Sequence, residues 1–290
     1  MEGKSRRQAL KKLGTGASLF AINPLNIKAN DMEKRKLKSN INHSVCRWCY
    51  SKIGLEDLCI AAKKIGLKSI ELVGPGEWSI LKKHGLHCAM PNGGEIGLDK
   101  GFNHEQYHEQ LFKKYSEIIP KVAEAGYDKI ICFSGNRAGI SEEEGLEVSA
   151  KGLKPLMPIA EKYKVTMVME LLNSKVNHKD YQCDHTSWGV ELCKMVGSDR
   201  FKLLYDIYHM QIMEGDVIAT IKANHEYIAH YHTGGVPGRH EIDTTQELYY
   251  PAIMQAILDT GYKGYVAQEF IPAKPDALAS LEQGVRICDV

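Results

Sequence analysis

The sequence predicts an α/β protein, a single (β/α)8 TIM barrel over residues 41–290. Three observations support this fold class. Eight short apolar segments alternate with longer amphipathic segments from about residue 42 onward. Several short segments, notably VTMVME, are apolar at both odd and even positions, as strands buried on both faces of a parallel sheet must be. Eight strand–helix units in roughly 250 residues match the size of such a barrel.

The predicted helices have apolar residues at helical spacing and a glycine before the next strand. The segment with Leu111, Tyr115, Ile118 and Val122, followed by Gly126, is the best example. An open doubly wound sheet is the alternative, but no G-x-G-x-x-G follows the first strand. The predicted strands are HSVCRWC (43–49), SIELVG (69–74), LHCAMP (86–91), KIICFSG (129–135), VTMVME (165–170), KLLYD (202–206), IAHYHTG (228–234) and YVAQEF (265–270).

The charge balance argues against a polyanionic partner. The chain has 290 residues, 43% of them hydrophobic, with 37 Lys and Arg against 36 Asp and Glu. A net charge of +1 offers no general attraction to nucleic acid or to anionic membranes, so we expect no nucleic-acid partner. Cys46 and Cys49 form a C-x-x-C, but the second pair that a structural zinc site needs is missing from the sequence. We interpret them as structural, with a disulfide allowed if the protein is exported.

The N-terminus, residues 1–40, is interpreted as a signal and linker. Arg6 and Arg7 precede a short, weakly apolar run from Leu13 to Ile22, a pattern that resembles a twin-arginine export signal. The run is too short for an ordinary transmembrane helix, so no membrane span is expected in the mature chain. The sequence therefore predicts a periplasmic protein. A disordered basic tail on a cytoplasmic protein is the alternative.

Four consecutive predicted strands end in side chains that can bind a metal ion: Glu170, Asp206, His232 and Glu269. Because parallel strands of a barrel end at one rim, these side chains are expected to meet there. Carboxylates buried together are costly and raise one another's pKa, unless a cation lies among them. Three oxygen donors and one imidazole favour Mg²⁺ or Mn²⁺, with Co²⁺ and Zn²⁺ also fitting. Taken singly, each residue could instead cap a helix or form an ion pair.

Several segments resemble the hydroxypyruvate isomerase branch of the xylose-isomerase-like TIM barrels, also called AP endonuclease family 2. The longest is YDIYHMQIMEGD (205–216), and the shorter ones, ELLN (170–173), HTGGVPGRHE (232–241) and QEF (268–270), follow in the right order. The resemblance is strong in the C-terminal half and faint before residue 130. It implies a divalent metal ion held by Glu170, Asp206, His232 and Glu269, with His209 and Arg239 binding substrate oxygens.

The resemblance also implies a reaction. Glu170 and Glu269 would flank a small sugar or ketoacid and move its proton through an enediolate, while the ion stabilises the developing oxyanion. Isomerisation of hydroxy-aldehydes and hydroxy-ketones is the first expectation, and 3-epimerisation of ketoses is the alternative. Members of this family are often dimers or tetramers, so a homo-oligomer is compatible with the resemblance.

Three departures from the pattern bear on the substrate. His232 stands where close hydroxypyruvate isomerases carry Gln, whereas His is usual in the ketose epimerases. Pro91 stands where the His of an HN pair is expected before Asn92. Asn136 and Arg137 replace a GK-like element.

Three other kinds of function remain as alternatives. HEQYH (104–108) matches the H-E-x-x-H of zinc peptidases, but its neighbours make a polar helix start rather than a buried metal helix. An apurinic endonuclease would need more ligands on the early strands, which offer chiefly Glu71 and His87. A non-catalytic periplasmic sugar-binding barrel would have kept the fold and lost turnover.

Overall fold

Seven parallel β-strands form one sheet in residues 36–290, the part of the chain that this computed structural model describes. Their order is β2-β1-β7-β6-β5-β4-β3, so the four C-terminal strands lie side by side. The strands are β1 (Asn42–Cys46), β2 (Ser69–Glu71), β3 (Lys129–Cys132), β4 (Thr166–Glu170), β5 (Phe201–Asp206), β6 (Ile228–Thr233) and β7 (Tyr265–Gln268). The α/β fold with a parallel sheet is confirmed.

The predicted count of eight strands is wrong. Residues 86–91, predicted as the third strand, form only an isolated bridge to β2. The segment still hydrogen-bonds to both end strands of the sheet. The Leu72 N–H, just after β2, donates to the Met90 carbonyl at 2.8 Å, and the Ile131 N–H of β3 donates to the Pro91 carbonyl at 3.1 Å. An irregular segment thus joins the two ends of a seven-stranded sheet.

Local chemistry explains why this segment is not a strand. The Ala89 N–H donates to the Ser69 side-chain oxygen at 2.9 Å instead of to a backbone carbonyl. Pro91 has no N–H to donate. Two backbone positions out of six are therefore withdrawn from a regular ladder, although the segment is as apolar as a buried strand should be.

Helices follow the strands and cover the sheet. The α-helices are α1 (Leu55–Ile65), α2 (Trp78–Lys83), α3 (His108–Glu124), α4 (Glu142–Leu153), α5 (Met157–Tyr163), α6 (Thr186–Val196), α7 (Ile207–Met213), α8 (Val217–Asn224), α9 (Tyr250–Asp259) and α10 (Ala277–Cys288). Short 3₁₀ helices occupy Arg47–Tyr50, Glu105–Tyr107, Lys154–Leu156 and His225–Tyr227. Gly66 and Gly126 follow α1 and α3 with φ of 104° and 83°, a backbone conformation that favours glycine. The helix end predicted at Gly126 is confirmed.

The strands carry the core, and their C-terminal ends carry polar residues. All five residues of β4 are buried, as the two-sided apolar pattern predicts. Glu71, Glu170 and Asp206 are the last residues of β2, β4 and β5, and each is at most 4% exposed. The fold therefore gathers buried carboxylates at one edge of an apolar sheet.

The predicted twin-arginine segment lies outside the described residues, apart from the last few residues of the linker. Residues Leu37–Val290 form one compact unit. Among the described residues, no helix combines the length and the apolar character needed to cross a membrane.

Candidate metal and active site

The four side chains predicted at the strand ends lie together. One donor atom from each of Glu170, Asp206, His232 and Glu269 lies within 4.8 Å of the others, and all four residues are buried. They come from the neighbouring strands β4, β5 and β6 and from the residue that follows β7. The predicted proximity is thus present in the structure, while their role as metal ligands stays a prediction.

His232 occupies the middle of the cluster. Its Nδ1 lies 2.9 Å from Glu269 Oε2 and 3.2 Å from Glu170 Oε1. Its Nε2 faces the other way and lies 2.8 Å from Glu71 Oε1. Burial alone would lower the pKa of His232, but its acidic neighbours, Cys46 and Glu269 first among them, outweigh burial and raise it well above the ordinary value. The acidic surroundings therefore favour the protonated ring.

Glu269 is surrounded by donors. Trp48 Nε1 donates to Oε1 at 2.8 Å, and Arg239 Nη2 donates to Oε2 at 2.7 Å. Burial opposes ionisation, but His232 and Arg239 outweigh it, so the pKa of Glu269 is lowered well below its usual range. Glu269 is therefore held as a carboxylate in a fixed orientation.

The pKa values of Glu170 and Asp206 are shifted in the opposite direction, upward. Burial, together with the charge of Glu269, raises the pKa of Glu170. Burial also raises the pKa of Asp206 well above its ordinary value, although Arg239 opposes the change. Glu170 Oε1 is buried, and within residues 36–290 it makes no regular hydrogen bond: it lies 3.2 Å from His232 Nδ1, a nitrogen that Glu269 Oε2 approaches more closely, at 2.9 Å. A buried carboxylate oxygen that shares its one nearby donor with a second acid, and has a third acid beside it, indicates that a cation fits among them.

The donor set suits a divalent ion. Three carboxylates supply hard oxygen donors and His232 supplies one nitrogen, the kind of set that binds Mg²⁺ or Mn²⁺ and that Co²⁺ and Zn²⁺ also accept. One arginine, Arg239, contributes a positive charge within this cluster, against three acids. The residues present therefore fit a metal site.

The two carboxylate oxygens of Asp206 have different contacts. Its Oδ1 accepts hydrogen bonds from the backbone N–H groups of Tyr208 and His209, at 2.8 and 3.2 Å, and so caps α7. Its Oδ2 faces the cluster, 3.5 Å from Arg239 Nη2. The helix cap considered as an alternative to metal binding is thus present, on a different oxygen, and the two functions are compatible.

Arg239, a predicted substrate contact, packs between two aromatic rings. Its guanidinium carbon lies 5.1 Å from the ring centre of Trp48 and 5.4 Å from that of Tyr208. It also forms ion pairs with Glu269 and Asp206. Arg239 lines the cavity beside the cluster, so its predicted contact with substrate is compatible with the geometry and stays a prediction.

His209, the other predicted substrate contact, is fully buried behind Asp206. Its Nδ1 accepts the Asn173 backbone N–H at 3.1 Å, and its Nε2 lies 3.5 Å from Asp206 Oδ2. Burial first, and then Arg239, lower its pKa well below the ordinary value, so the ring is neutral. The lining of the cavity includes His178, which packs on the His209 ring at 5.2 Å. Contact between His209 and substrate stays a prediction.

A cavity of about 460 Å³ opens beside the cluster. Glu170, Arg239 and Glu269 are among its lining residues, and most of the others are apolar. Apart from Asn92, which belongs to the expected HN pair, the remaining lining residues were not predicted to be site residues from the sequence. The full lining is Trp48, Leu72, Asn92, Glu95, Gly97, Leu98, Ile131, Phe133, Glu170, Leu172, His178, Arg239 and Glu269.

The histidines of HEQYH have backbone partners. His104 Nε2 lies 3.0 Å from the Asn136 carbonyl, and His108 Nε2 lies 2.7 Å from the Phe102 carbonyl. Neither belongs to a metal-capable group among the described residues. These contacts favour a structural interpretation over a zinc peptidase.

Comparison with known proteins identifies the class of the chain. The family described as xylose isomerase-like TIM barrel matches residues 60–287, so the chain belongs to this family. Curated relatives include the 2-oxo-tetronate isomerase of Cupriavidus necator, 36% identical over 108 residues that cover 37% of this chain and 41% of that protein. The chain thus spans about two fifths of the length of that relative.

Other relatives align over more of the chain or belong to a second enzyme class. The hydroxypyruvate isomerase of Escherichia coli K12 is 28% identical over 247 residues, which cover 79% of this chain and 90% of that protein. A D-psicose 3-epimerase of Ruminiclostridium cellulolyticum is 29% identical over 134 residues, covering 45% and 43%. These relatives support an enzyme of the isomerase or epimerase class.

Solved structures share the fold. An AP endonuclease, family 2, from Brucella melitensis has a TM-score of 0.73 and 21% identity, covering 84% of this chain and 97% of that one. The IOLI protein with a binding zinc atom has a TM-score of 0.66 and 15% identity, covering 85% and 96%. Both likenesses establish the TIM-barrel fold.

Proposed function

We propose that this chain is a metal-dependent isomerase that interconverts small hydroxy-aldehyde and hydroxy-ketone compounds by moving a proton between two glutamates. The observation that carries the proposal is the placement of Glu170 and Glu269 next to His232 Nδ1, at 3.2 and 2.9 Å, within one buried cluster. Both glutamates also line the cavity. The isomerase relatives support the same reaction class.

The proposed metal is divalent and is held by Glu170, Asp206, His232 and Glu269. When bound, it would act as a Lewis acid on a substrate carbonyl and the neighbouring hydroxyl. Mg²⁺ or Mn²⁺ suits the three oxygen donors best, and Co²⁺ or Zn²⁺ also fits. The zinc atom in the IOLI protein supports a metal site in a barrel of this fold.

The side chains of this chain would do the proton transfer. A C–H next to a carbonyl is a weak acid, so a carboxylate must lie close to that carbon. One glutamate would take the proton and either the same or the other would return it. Trp48 and Arg239 would keep Glu269 oriented through their hydrogen bonds to its two oxygens. Arg239 would also face the substrate across the cavity, where its donors suit paired oxygens.

A ketose 3-epimerase is the second candidate, and the cavity favours it. A volume of about 460 Å³ falls within the usual range for ligand pockets and exceeds what a three-carbon acid requires. The first step, proton removal next to a carbonyl, is common to both reactions. A non-catalytic sugar-binding barrel would account for the cavity but not for two glutamates beside a third buried acid.

The test combines a substrate panel with solvent deuterium. The protein is incubated in D₂O with Mg²⁺, Mn²⁺ or Co²⁺ and with hydroxypyruvate, tartronate semialdehyde or free ketoses. Conversion is measured by chromatography, and exchange of the carbon-bound hydrogen is measured by NMR. We expect deuterium at the carbon next to the carbonyl, with a product that identifies isomerisation or epimerisation.

The Glu170→Gln and Glu269→Gln variants assign the roles. A variant that lacks the abstracting base should lose both exchange and conversion by about 10²–10⁴-fold. A variant that lacks only the returning acid should keep exchange and lose conversion. Full activity in both variants would exclude the proposed mechanism. Ligand binding without any exchange would indicate the non-catalytic barrel.

A further inference from the structure

A buried carboxylate, Glu71, reaches the candidate site from the opposite side of the barrel. It ends β2 and is 0% exposed. Its Oε1 accepts hydrogen bonds from His230 Nε2 at 2.7 Å and from His232 Nε2 at 2.8 Å. Since β2 and β6 are not neighbours in the sheet, this contact crosses the barrel interior. Glu71 thus connects the first half of the chain to the cluster.

The contact determines which nitrogen of His232 faces the cluster. Its Nε2 is committed to Glu71, so its Nδ1 points to Glu170 and Glu269. His230, two residues earlier on the same face of β6, donates to the same oxygen of Glu71, and its ring contacts the His232 ring at 5.2 Å. Two donors from one strand therefore hold the carboxylate in place, and the carboxylate holds the His232 ring.

We propose that Glu71 is a positioning residue that keeps His232 protonated at Nε2 and directs Nδ1 to the metal site. This proposal rests on the proposed function, because the nitrogen that Glu71 directs, His232 Nδ1, is the proposed metal ligand. A histidine that binds a metal commonly donates its other ring N–H to a carboxylate, and loss of such a partner typically costs 10–100-fold in metal affinity. The buried pair between Glu71 and His232 has this arrangement.

A second metal site is the competing interpretation of the same residues. Cys46, Glu71 and His232 offer donor atoms within 4.8 Å of one another. The separation of 2.8 Å between Glu71 Oε1 and His232 Nε2 is a hydrogen-bond length. The same oxygen lies 2.7 Å from His230 Nε2, so it already has two ring N–H groups as partners. The geometry therefore favours the hydrogen bond.

The test compares Glu71→Gln and Glu71→Leu with the wild type. Gln has the size of Glu and keeps an acceptor without the charge, whereas Leu removes the acceptor. We expect the Kd for Mn²⁺, measured by titration calorimetry, to rise about tenfold in Glu71→Gln and about 100-fold in Glu71→Leu. The wild type should bind one Mn²⁺ per chain. Should Glu71→Leu fail to fold, Glu71→Gln alone decides the question.

Asp289→Asn is the matched control. Asp289 lies 3.5 Å from a different buried histidine, His43, which is near the N-terminal end of β1. This variant should lose some stability and keep its Mn²⁺ Kd within about twofold, because it breaks a carboxylate–histidine pair outside the cluster. If Glu71→Gln behaves like Asp289→Asn, the contribution of Glu71 is to folding alone and the proposal is wrong.

A readout without metal separates this proposal from the proposed function. In ¹⁵N-histidine-labelled, metal-free protein, the Nε2–H signals of His230 and His232 should show strong hydrogen bonds and slow exchange with solvent. Both features should be lost in Glu71→Leu and weakened in Glu71→Gln, whether or not the protein is an isomerase. Unchanged signals would overturn the proposal. A second Mn²⁺ per wild-type chain that Glu71→Leu no longer binds would also overturn it, in favour of the second metal site.

Discussion

The two halves of the barrel supply different side chains to the same cavity. Strands β4 to β7 bring three carboxylates and a histidine to one side. The side formed by β2, β3 and the segments that follow them is largely apolar, with Leu72, Leu98, Ile131 and Phe133 in the cavity wall. The proposed function then predicts a division of labour, in which the C-terminal half would supply the metal ligands and proton-transferring groups, and the apolar wall from the N-terminal half would limit the size and shape of the substrate.

After the two glutamates, the largest expected effect in the polar half comes from Asp206, where two substitutions separate the helix cap from the proposed metal contact. Both Asp206→Ala and Asp206→Asn remove the carboxylate that faces the cluster, so each should weaken Mn²⁺ binding by about 10²-fold and lower kcat with it. Asn keeps an oxygen that caps α7, and Ala does not. Asp206→Ala should therefore be less stable than Asp206→Asn by about 1 kcal/mol, as measured by urea unfolding of the metal-free proteins. Equal stability would mean that the cap contributes nothing.

A pH dependence of metal binding is the next effect. Metal binding needs an unprotonated Nδ1 on His232, whose pKa is raised in the metal-free protein, as are those of Glu170 and Asp206. Binding should therefore release about one proton or more. For each proton released, the affinity should fall about tenfold with every unit by which the pH decreases. Calorimetry in two buffers of different ionisation enthalpy counts the protons. An affinity that is constant between about pH 6 and 8 would show that these groups are already unprotonated.

The contrast between the two halves of the barrel also explains which site residues could be predicted from the sequence. An acid at the end of a buried strand is conspicuous, so Glu170, Asp206 and Glu269 could be recognised from the order of residues alone. Glu71 has the same signal, but a partner on β6 cannot be inferred from β2 alone, because the contact depends on how the sheet closes. Trp48 was predicted inside the first strand but lies in the 3₁₀ helix that follows β1, and His178 lies in the loop after β4 and carries no periodic signal.

At two further places the structure differs from the sequence-based prediction, for physical reasons that the pattern of apolar residues does not reveal. Residues 86–91 have the hydrophobicity of a strand, but the bond from Ala89 to the Ser69 side chain and the missing N–H of Pro91 prevent a regular ladder. His209 follows Asp206 by three residues, as expected, but the turn into α7 buries its ring behind that acid. Hydrophobic pattern therefore determines which segments are buried, and individual hydrogen bonds determine their final geometry.

The smallest expected effect comes from the apolar half and tests the division of labour most directly. Leu98 lines the cavity and is 40% exposed, so Leu98→Ala should leave the fold intact. We expect KM for a hexose-sized substrate to rise about three- to tenfold with kcat nearly unchanged, because only uniform binding is lost. A three-carbon substrate, held at the polar side, should show no change. Ile60→Ala is the matched control, since Ile60 is 57% exposed on α1 and does not line this cavity. A fall in kcat for Leu98→Ala with KM unchanged would contradict the division, because it would place the apolar wall in the proton-transfer step.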